Sequence, residues 1–150
     1  MCIEFQTKGN SIGEGIAKGI NEAIDIAEKD GWNGIVIGNN DKQFSVGANL
    51  MNMGMMAMQK NFDEIEKFLV GFQKILMRMR TCNVPVVSAT HGFVLGGGLE
   101  VSIHCDAGIH ASESYIGLVE AGVGLIPGGG GTKEMAMRAS DSFNSGDVKM

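Results

Sequence analysis

Apolar residues recur at helical spacing at Ile16, Ile20, Ala23, Ile24 and Ala27 and stop before Gly31, which predicts an amphipathic helix over about residues 11 to 29. Two short runs follow a different rule. Gly34-Ile-Val-Ile-Gly38 and Pro85-Val-Val-Ser-Ala89 are apolar, β-branched and bounded by turn residues, so both read as buried strands. Between them, Asn39 to Asn49 turns away from the first strand and Met51 to Met58 shows no clear period. The longest stripe, Phe62, Ile65, Phe68, Leu69, Phe72, Ile75, Leu76 and Met79, predicts a long helix, with Asn61 and Glu64 at capping-box spacing at its start.

Beyond the second strand, the turn His91-Gly92 and the triplet Gly96 to Gly98 lead into a short helix expected over Gly97 to His104. Ala107 to His110 and Ser114 to Leu118 read as short strands, Glu120 to Gly131 as a loop, and Thr132 to Arg138 as the start of another helix. From Ala139 the composition turns to Ser, Asp, Asn and Gly and loses apolar periodicity. A core over residues 1–138 and a polar, disordered tail over 139–150 are therefore expected. Strands alternating with helices imply an α/β fold with a mainly parallel sheet.

Composition narrows the picture. The 150 residues, 44% hydrophobic and 19% charged, suit one domain with a real core. A net charge of −5 without a dense Lys/Arg run argues against nucleic acid as a partner. The sequence has no apolar run of about 18 residues and no signal pattern at its start, so no membrane partner and a cytoplasmic location are expected. Cys2, Cys82 and Cys105 are widely spaced with no CxxC pair, which favours buried free thiols over a disulfide or zinc site. His91, His104 and His110 lack HExxH spacing, and no metal is expected.

Candidate chemistry lies in two glycine clusters, each paired with an acid. Gly96 to Gly98 is followed by Leu99 and Glu100, and Glu120 stands ahead of Gly128 to Gly131. Glycine leaves the backbone amide uncovered, so an N–H can approach a ligand atom directly. A phosphate cradle fails on spacing: Lys133 follows Thr132 rather than a glycine, and GxGxxG breaks at Pro127 after Gly122 and Gly124. The other use of bare amides at a helix start is an oxyanion hole, which wants donors from two loops. Gly47 in Phe44-Ser-Val-Gly-Ala-Asn-Leu50 would permit a tight turn presenting the Ala48 amide. From the residues alone, Glu100 also reads as a solvated helix acid and Glu120 as a loop acid answering helix-terminal amides.

Three blocks resemble the signature blocks of the crotonase, or enoyl-CoA hydratase/isomerase, superfamily, in the same order and spacing. They are Phe44 to Leu50, His91-Gly-Phe-Val-Leu-Gly-Gly-Gly-Leu-Glu100 and Gly117-Leu-Val-Glu-Ala-Gly-Val-Gly-Leu-Ile-Pro-Gly-Gly-Gly-Gly131. The resemblance spans about residues 30 to 138, and it looks most like the hydratase part of fused 3-hydroxyacyl-CoA dehydrogenase/enoyl-CoA hydratase proteins. It implies a crotonase-like ββα spiral fold, truncated at the C-terminus, since complete domains of the family continue through further helices.

The resemblance also implies site roles. Ala48 and Gly97 match the oxyanion-hole positions, Glu100 and Glu120 the two acids that handle water, and Gly128 a loop position whose amide supports that water. The implied reaction is hydration of trans-2-enoyl-CoA to 3-hydroxyacyl-CoA in fatty-acid β-oxidation, with no cofactor beyond the coenzyme A of the substrate. Isomerase members commonly keep one of the two acids, so the pair favours hydration; Δ3,Δ2-enoyl-CoA isomerisation and a non-catalytic acyl-CoA-binding module are the rivals. Implied partners are an acyl-CoA thioester, further copies in a trimer-based homo-oligomer, and a dehydrogenase fused in the parent protein. His91 and Asn49 depart from the family, standing where many relatives have Asn and Asp. Met51, Met53, Met55, Met56 and Met58 offer either a deformable wall for an acyl chain or ordinary packing, while Trp32 and Tyr115 read as packing residues.

Overall fold

The strands, in chain order, are Cys2–Ile3 (β1), Ile35–Gly38 (β2), Val86–Thr90 (β3), Phe93–Leu95 (β4), Ala107–His110 (β5) and Tyr115–Gly117 (β6). In this computed structural model, which describes residues 1–144, β1, β2, β3 and β5 lie side by side in one parallel sheet, with Ile35 opposite Val86 and Val87 opposite Ala107. β4 and β6 form a second parallel pair, Val94 opposite Ile116. Parallel neighbours need long crossovers, and helices supply most of them. These are Glu14–Asp30 (α1), Leu50–Met58 (α2), Phe62–Thr81 (α3), Gly97–Ile103 (α4) and Gly131–Asn144 (α5). The expected parallel α/β architecture is the one the chain forms. Among the described residues, no helix is long and apolar enough to cross a membrane.

The first helix buries Ala17, Ile20, Ile24 and Ala27 and ends at Gly31, whose left-handed conformation donates its N–H to Ala27 O. Its core face thus lies one position from the expected stripe at Ala17, with Ile16 only packed against the core. In β2, Ile35 and Ile37 are buried and Val36 is exposed, so only one face of that strand is covered. Between β3 and α4, the buried hydroxyls of Ser88 and Ser102 share a hydrogen bond of 2.8 Å, fixing the helix against the sheet.

Several expectations are corrected. Met51 to Met58 forms most of α2, capped where the Asn49 side chain accepts the Asn52 N–H at 3.3 Å. That helix has no buried residue, so no apolar period marks it. Asn61 makes no side-chain cap bond at the start of α3. The stripe of α3 is buried only towards its C-terminal end, at Phe72, Leu76 and Met79; Phe62 is 61% exposed. Helix α5 runs on to Asn144 through the segment expected to be a polar tail, burying only Gly131 and Glu134 in its first turn. The rest of that expectation, residues 145–150, lies outside the described residues. The strand β4 has no counterpart in the hydropathy reading.

Of the three thiols, only Cys105 is buried, and Cys2 is exposed. Trp32 is largely exposed, and Tyr115 is exposed with its ring edge-on to Phe93.

The uneven burial of α3 has a measurable consequence. Leu76→Ala should cost about 2–5 kcal/mol of stability, whereas Phe62→Ala should change it by less than about 0.5 kcal/mol. Urea unfolding of the two variants checks this, and equal losses would contradict the burial described.

Candidate functional site

The loop after β2 is pinned before it reaches the site. Buried Asn39 accepts the Phe5 N–H at 2.7 Å and donates to Phe44 O at 2.5 Å. Buried Ser45 donates its hydroxyl to Asn10 O at 2.8 Å and accepts the Gly47 N–H at 3.1 Å. Gly47 sits at φ +92°, where a Cβ would stand 2.8 Å from Leu95 O, so the turn admits only glycine. On either side of Ala48 the backbone is tied to Ile12: the Ile12 N–H donates to Gly47 O at 2.8 Å, and the Asn49 N–H donates to Ile12 O at 3.0 Å. Among the described residues, the Ala48 N–H itself donates to no backbone carbonyl.

This turn meets the start of α4. A Cβ on Gly97 would lie 3.4 Å from the Ala48 nitrogen, and one on Gly47 would lie 3.3 Å from the Gly97 nitrogen. The two amides singled out from sequence are therefore side by side. Gly97 opens the helix, so its N–H has no acceptor within it.

One turn further along α4 the Glu100 side chain points into the protein, only 2% exposed. Its Oε1 accepts the N–H groups of Gly129 and Gly131, each at 2.8 Å. The solvated-helix reading of Glu100 is thereby overturned. Burial pushes its carboxyl above the usual carboxylate range, and the nearby charge of Glu120 adds to the effect, while the two amides pull the other way.

Glu120 begins a short 3-10 turn, Glu120–Val123, just after β6. A Cβ on Gly96 would lie 3.1 Å from Glu120 Oε1, and Glu120 Oε2 is buried with no partner among the described residues. Glu120 thus meets the first residue of the glycine triplet, and its charge is felt by Glu100 from a different segment.

Within the second glycine cluster, Gly129 and Gly131 supply the amides that meet Glu100, and the Gly128 carbonyl accepts Gln73 Nε2–H at 2.6 Å. A Cβ on Gly129 would fall 2.6 Å from Glu100 Oε2 and 2.7 Å from the Phe72 ring, so the loop can approach the acid only without a side chain. Sequence reading missed this pairing, although the free approach of glycine backbone was its signal. It also missed His104, whose i, i+4 spacing from Glu100 is legible: His104 Nδ1 lies 2.7 Å from Glu100 O.

The two departures from the family pattern have structural partners. His91 Nε2 is 2.6 Å from Asp41 O, and Asn49 caps α2. Burial pushes the Cys105 thiol up to about 12, which disfavours the thiolate.

A groove of about 730 Å³ runs between α1, α2 and α3. Met53, Met55 and Met56 form one wall and Phe68, Phe72 and Ile75 another, whereas Met51 and Met58 face solvent elsewhere. The two acids do not line it. Ile12 and Phe72, which line the groove, are also the side chains that flank Gly97, so the groove abuts the paired amides. The arrangement can hold a polarised oxygen on two N–H groups with two carboxylates near it and an apolar channel leading away.

The chain resembles known proteins over nearly all its length. The family profile described as Enoyl-CoA hydratase/isomerase matches residues 1–144. The "Probable 3-hydroxyacyl-CoA dehydrogenase" of Bacillus subtilis (strain 168) is 44% identical over 147 residues, 95% of this chain and 18% of that protein. The "Short-chain-enoyl-CoA hydratase" of Clostridium acetobutylicum is 36% identical over 102 residues, 68% of this chain and 38% of that protein. The crystal structure of enoyl-CoA hydratase from Thermoplasma volcanium GSS1 superposes with a TM-score of 0.81 at 26% identity, over 99% of this chain and 60% of that one. An enoyl-CoA hydratase from Polaromonas sp. JS666 superposes with a TM-score of 0.86 at 24% identity, over 91% and 54%, and shares the fold. The chain spans well under half the length of the two sequence relatives. It belongs to the enoyl-CoA hydratase/isomerase family, within the crotonase superfamily.

The raised carboxyl of Glu100 bears on stability. A group that prefers to be protonated when folded adds stability fully present below its unfolded pKa, and loses it as pH rises through its folded pKa. Glu100→Gln keeps an acceptor for both amides without the buried charge. It should therefore be more stable than the unmodified chain near pH 7 by about 0.5–2 kcal/mol, with the gap closing as pH falls below the ordinary carboxylate range. Thermal melts of both proteins across that window test this, and a pH-independent difference would count against it.

Proposed function

We propose that this chain adds water to trans-2-enoyl-CoA to give 3-hydroxyacyl-CoA, as an enoyl-CoA hydratase-type unit serving fatty-acid β-oxidation. The observation that carries the reading is the adjacency of the Ala48 and Gly97 amides to two convergent, partly or fully buried carboxylates. In this reading the two amides hold the thioester oxygen and stabilise the enolate-like charge that builds as Cβ is attacked. One such donor is typically worth about 2.7–4 kcal/mol of barrier.

Glu100 orients and deprotonates the water that adds at Cβ, and Glu120 delivers a proton at Cα; the roles reverse for dehydration. Burial suits Glu100 to this, because a carboxyl shifted upward exchanges protons more readily near neutral pH. Gly128 lies in the loop that supports the water, beside the two amides that fix Glu100. The acyl chain extends over the methionine wall of the groove, which can adapt to varied shapes. The reaction needs no metal or redox cofactor, because coenzyme A arrives as part of the substrate. The family and the names of relatives support an acyl-CoA substrate, and the Bacillus relative's name supports a dehydrogenase in the parent protein. A trimer-based oligomer and a cytoplasmic setting complete the proposal.

One observation favours a second reading. Glu100 Oε1 is committed to two amides while Glu120 Oε2 has no partner among the described residues. A single acid with an uncommitted oxygen suits Δ3,Δ2-enoyl-CoA isomerisation with Glu120 alone shuttling the proton.

Turnover of crotonyl-CoA, followed by loss of the conjugated enoyl thioester absorbance, separates the readings. Glu100→Gln and Glu120→Gln should each reduce hydration by about 10²–10⁴-fold. Hydration surviving Glu100→Gln would remove the two-acid mechanism. Acyl-CoA binding without any turnover by the unmodified chain would favour the non-catalytic module.

A further inference from the structure

Beyond the two acids, one buried acid that the mechanism above does not use is met by two partly exposed cations. Glu134, in the first turn of α5, has a side chain 0% exposed. Its Oε1 lies 2.5 Å from Arg80 Nη1 in the last turn of α3, 3.2 Å from Lys133 Nζ and 3.7 Å from Nε2 of His104, the residue that ends α4. Burial alone would push this carboxyl up, yet Arg80 and Lys133 hold it below the usual carboxylate range, so it is a buried anion. His104 is driven the other way, below the ordinary histidine value, chiefly by burial and further by Arg80 and Lys133.

An ion pair with one buried partner is a weak source of stability, since desolvating Glu134 offsets much of the attraction. What it supplies here is geometry. The Glu134 N–H donates to Gly130 O at 3.0 Å, and Gly130 stands between Gly129 and Gly131, the two residues whose amides hold Glu100 Oε1. On the other side, His104 Nδ1–H donates to the Glu100 carbonyl, while its Nε2 faces Glu134. Glu134 therefore touches both the loop that grips Glu100 and the helix that carries it.

We propose that Glu134 is a positioning residue: paired with Arg80, it locks the start of α5 onto α3 and so holds the Gly129 and Gly131 amides on Glu100. The proposal rests on the hydratase reading only for its kinetic consequence. The groups facing the cluster are Arg80 from α3, His104 from α4 and Lys133 from α5 itself; Glu120 faces Glu100 from the 3-10 turn. Loosening the loop removes the two hydrogen bonds that favour ionised Glu100, and leaves the burial and the Glu120 charge that oppose it.

The test combines a titration with a rate. In Glu134→Gln, and more mildly in Arg80→Lys, which keeps the charge but not the planar fork, the ¹³C-detected carboxyl titration of Glu100 should move to higher pH. The kcat for crotonyl-CoA hydration should fall about 10- to 100-fold with KM nearly unchanged. Arg138→Gln serves as a control, because Arg138 also ties α5 to α4, through Ile103 O at 2.7 Å, away from the glycine loop. It should lower stability without moving Glu100. If Glu134→Gln and Arg80→Lys lower the melting temperature but leave the Glu100 titration where it was, Glu134 is merely structural and the proposal is wrong. If the unmodified chain does not hydrate crotonyl-CoA, the hydratase reading fails, and the titration still decides the role of Glu134.

Discussion

Everything at the site depends on one unfavourable act, the removal of the Glu100 carboxylate from water. A buried carboxylate is tolerated only where hydrogen bonds replace its hydration, and here two backbone N–H groups do so from a loop of consecutive glycines. Side-chain donors would have filled the space next to the acid. Backbone donors leave its other oxygen approachable, provided that nothing projects from the loop. Gly129 meets that condition by having no Cβ to place between the acid, Phe72 and Leu76.

The same solution recurs at the paired amides. Gly47 takes a left-handed turn under the Leu95 carbonyl, and the buried Ser45 hydroxyl holds the turn open. Three separate segments thus deliver bare backbone to one small volume: the turn after β2, the start of α4 and the loop before α5. The sheet fixes the first two, since β2 and β3 are neighbours and α4 is bonded to β3 through Ser88 and Ser102. The third is fixed by charge rather than by the sheet, through Glu134 and Arg80.

How much of this the sequence disclosed depended on whether burial leaves a period. Helices α1 and α3 pack one stripe on the core, and their stripes were legible. Helix α2 and the far end of α5 bury almost nothing, so their composition resembled loop and tail. At the site, glycine clusters beside acids single out Gly97, Glu100 and Glu120, and the Gly47 turn singles out Ala48, whose amide the fold brings beside that of Gly97. Which amides of the second cluster hold Glu100 is not legible, because four consecutive glycines carry no internal register. In sequence Glu134 is an acid next to a lysine near a helix start, with nothing to mark it as buried. Its burial follows from Arg80, 54 residues earlier in the chain, and no local pattern encodes that meeting.

The parallel sheet also governs how the protein comes together in time. Cys2 pairs with Val36, and Ile35 with Val86, so each ladder closes only after a helix and its flanking turns have been traversed. Contacts so distant along the chain make for slow folding, because loop entropy is lost before the pairings compensate for it. The pocket around Glu100 draws on α3, α4 and α5 together, so none of these helices carries it alone. A chain whose helices have formed but have not docked on one another has no pocket, and its Glu100 carboxylate stays in water.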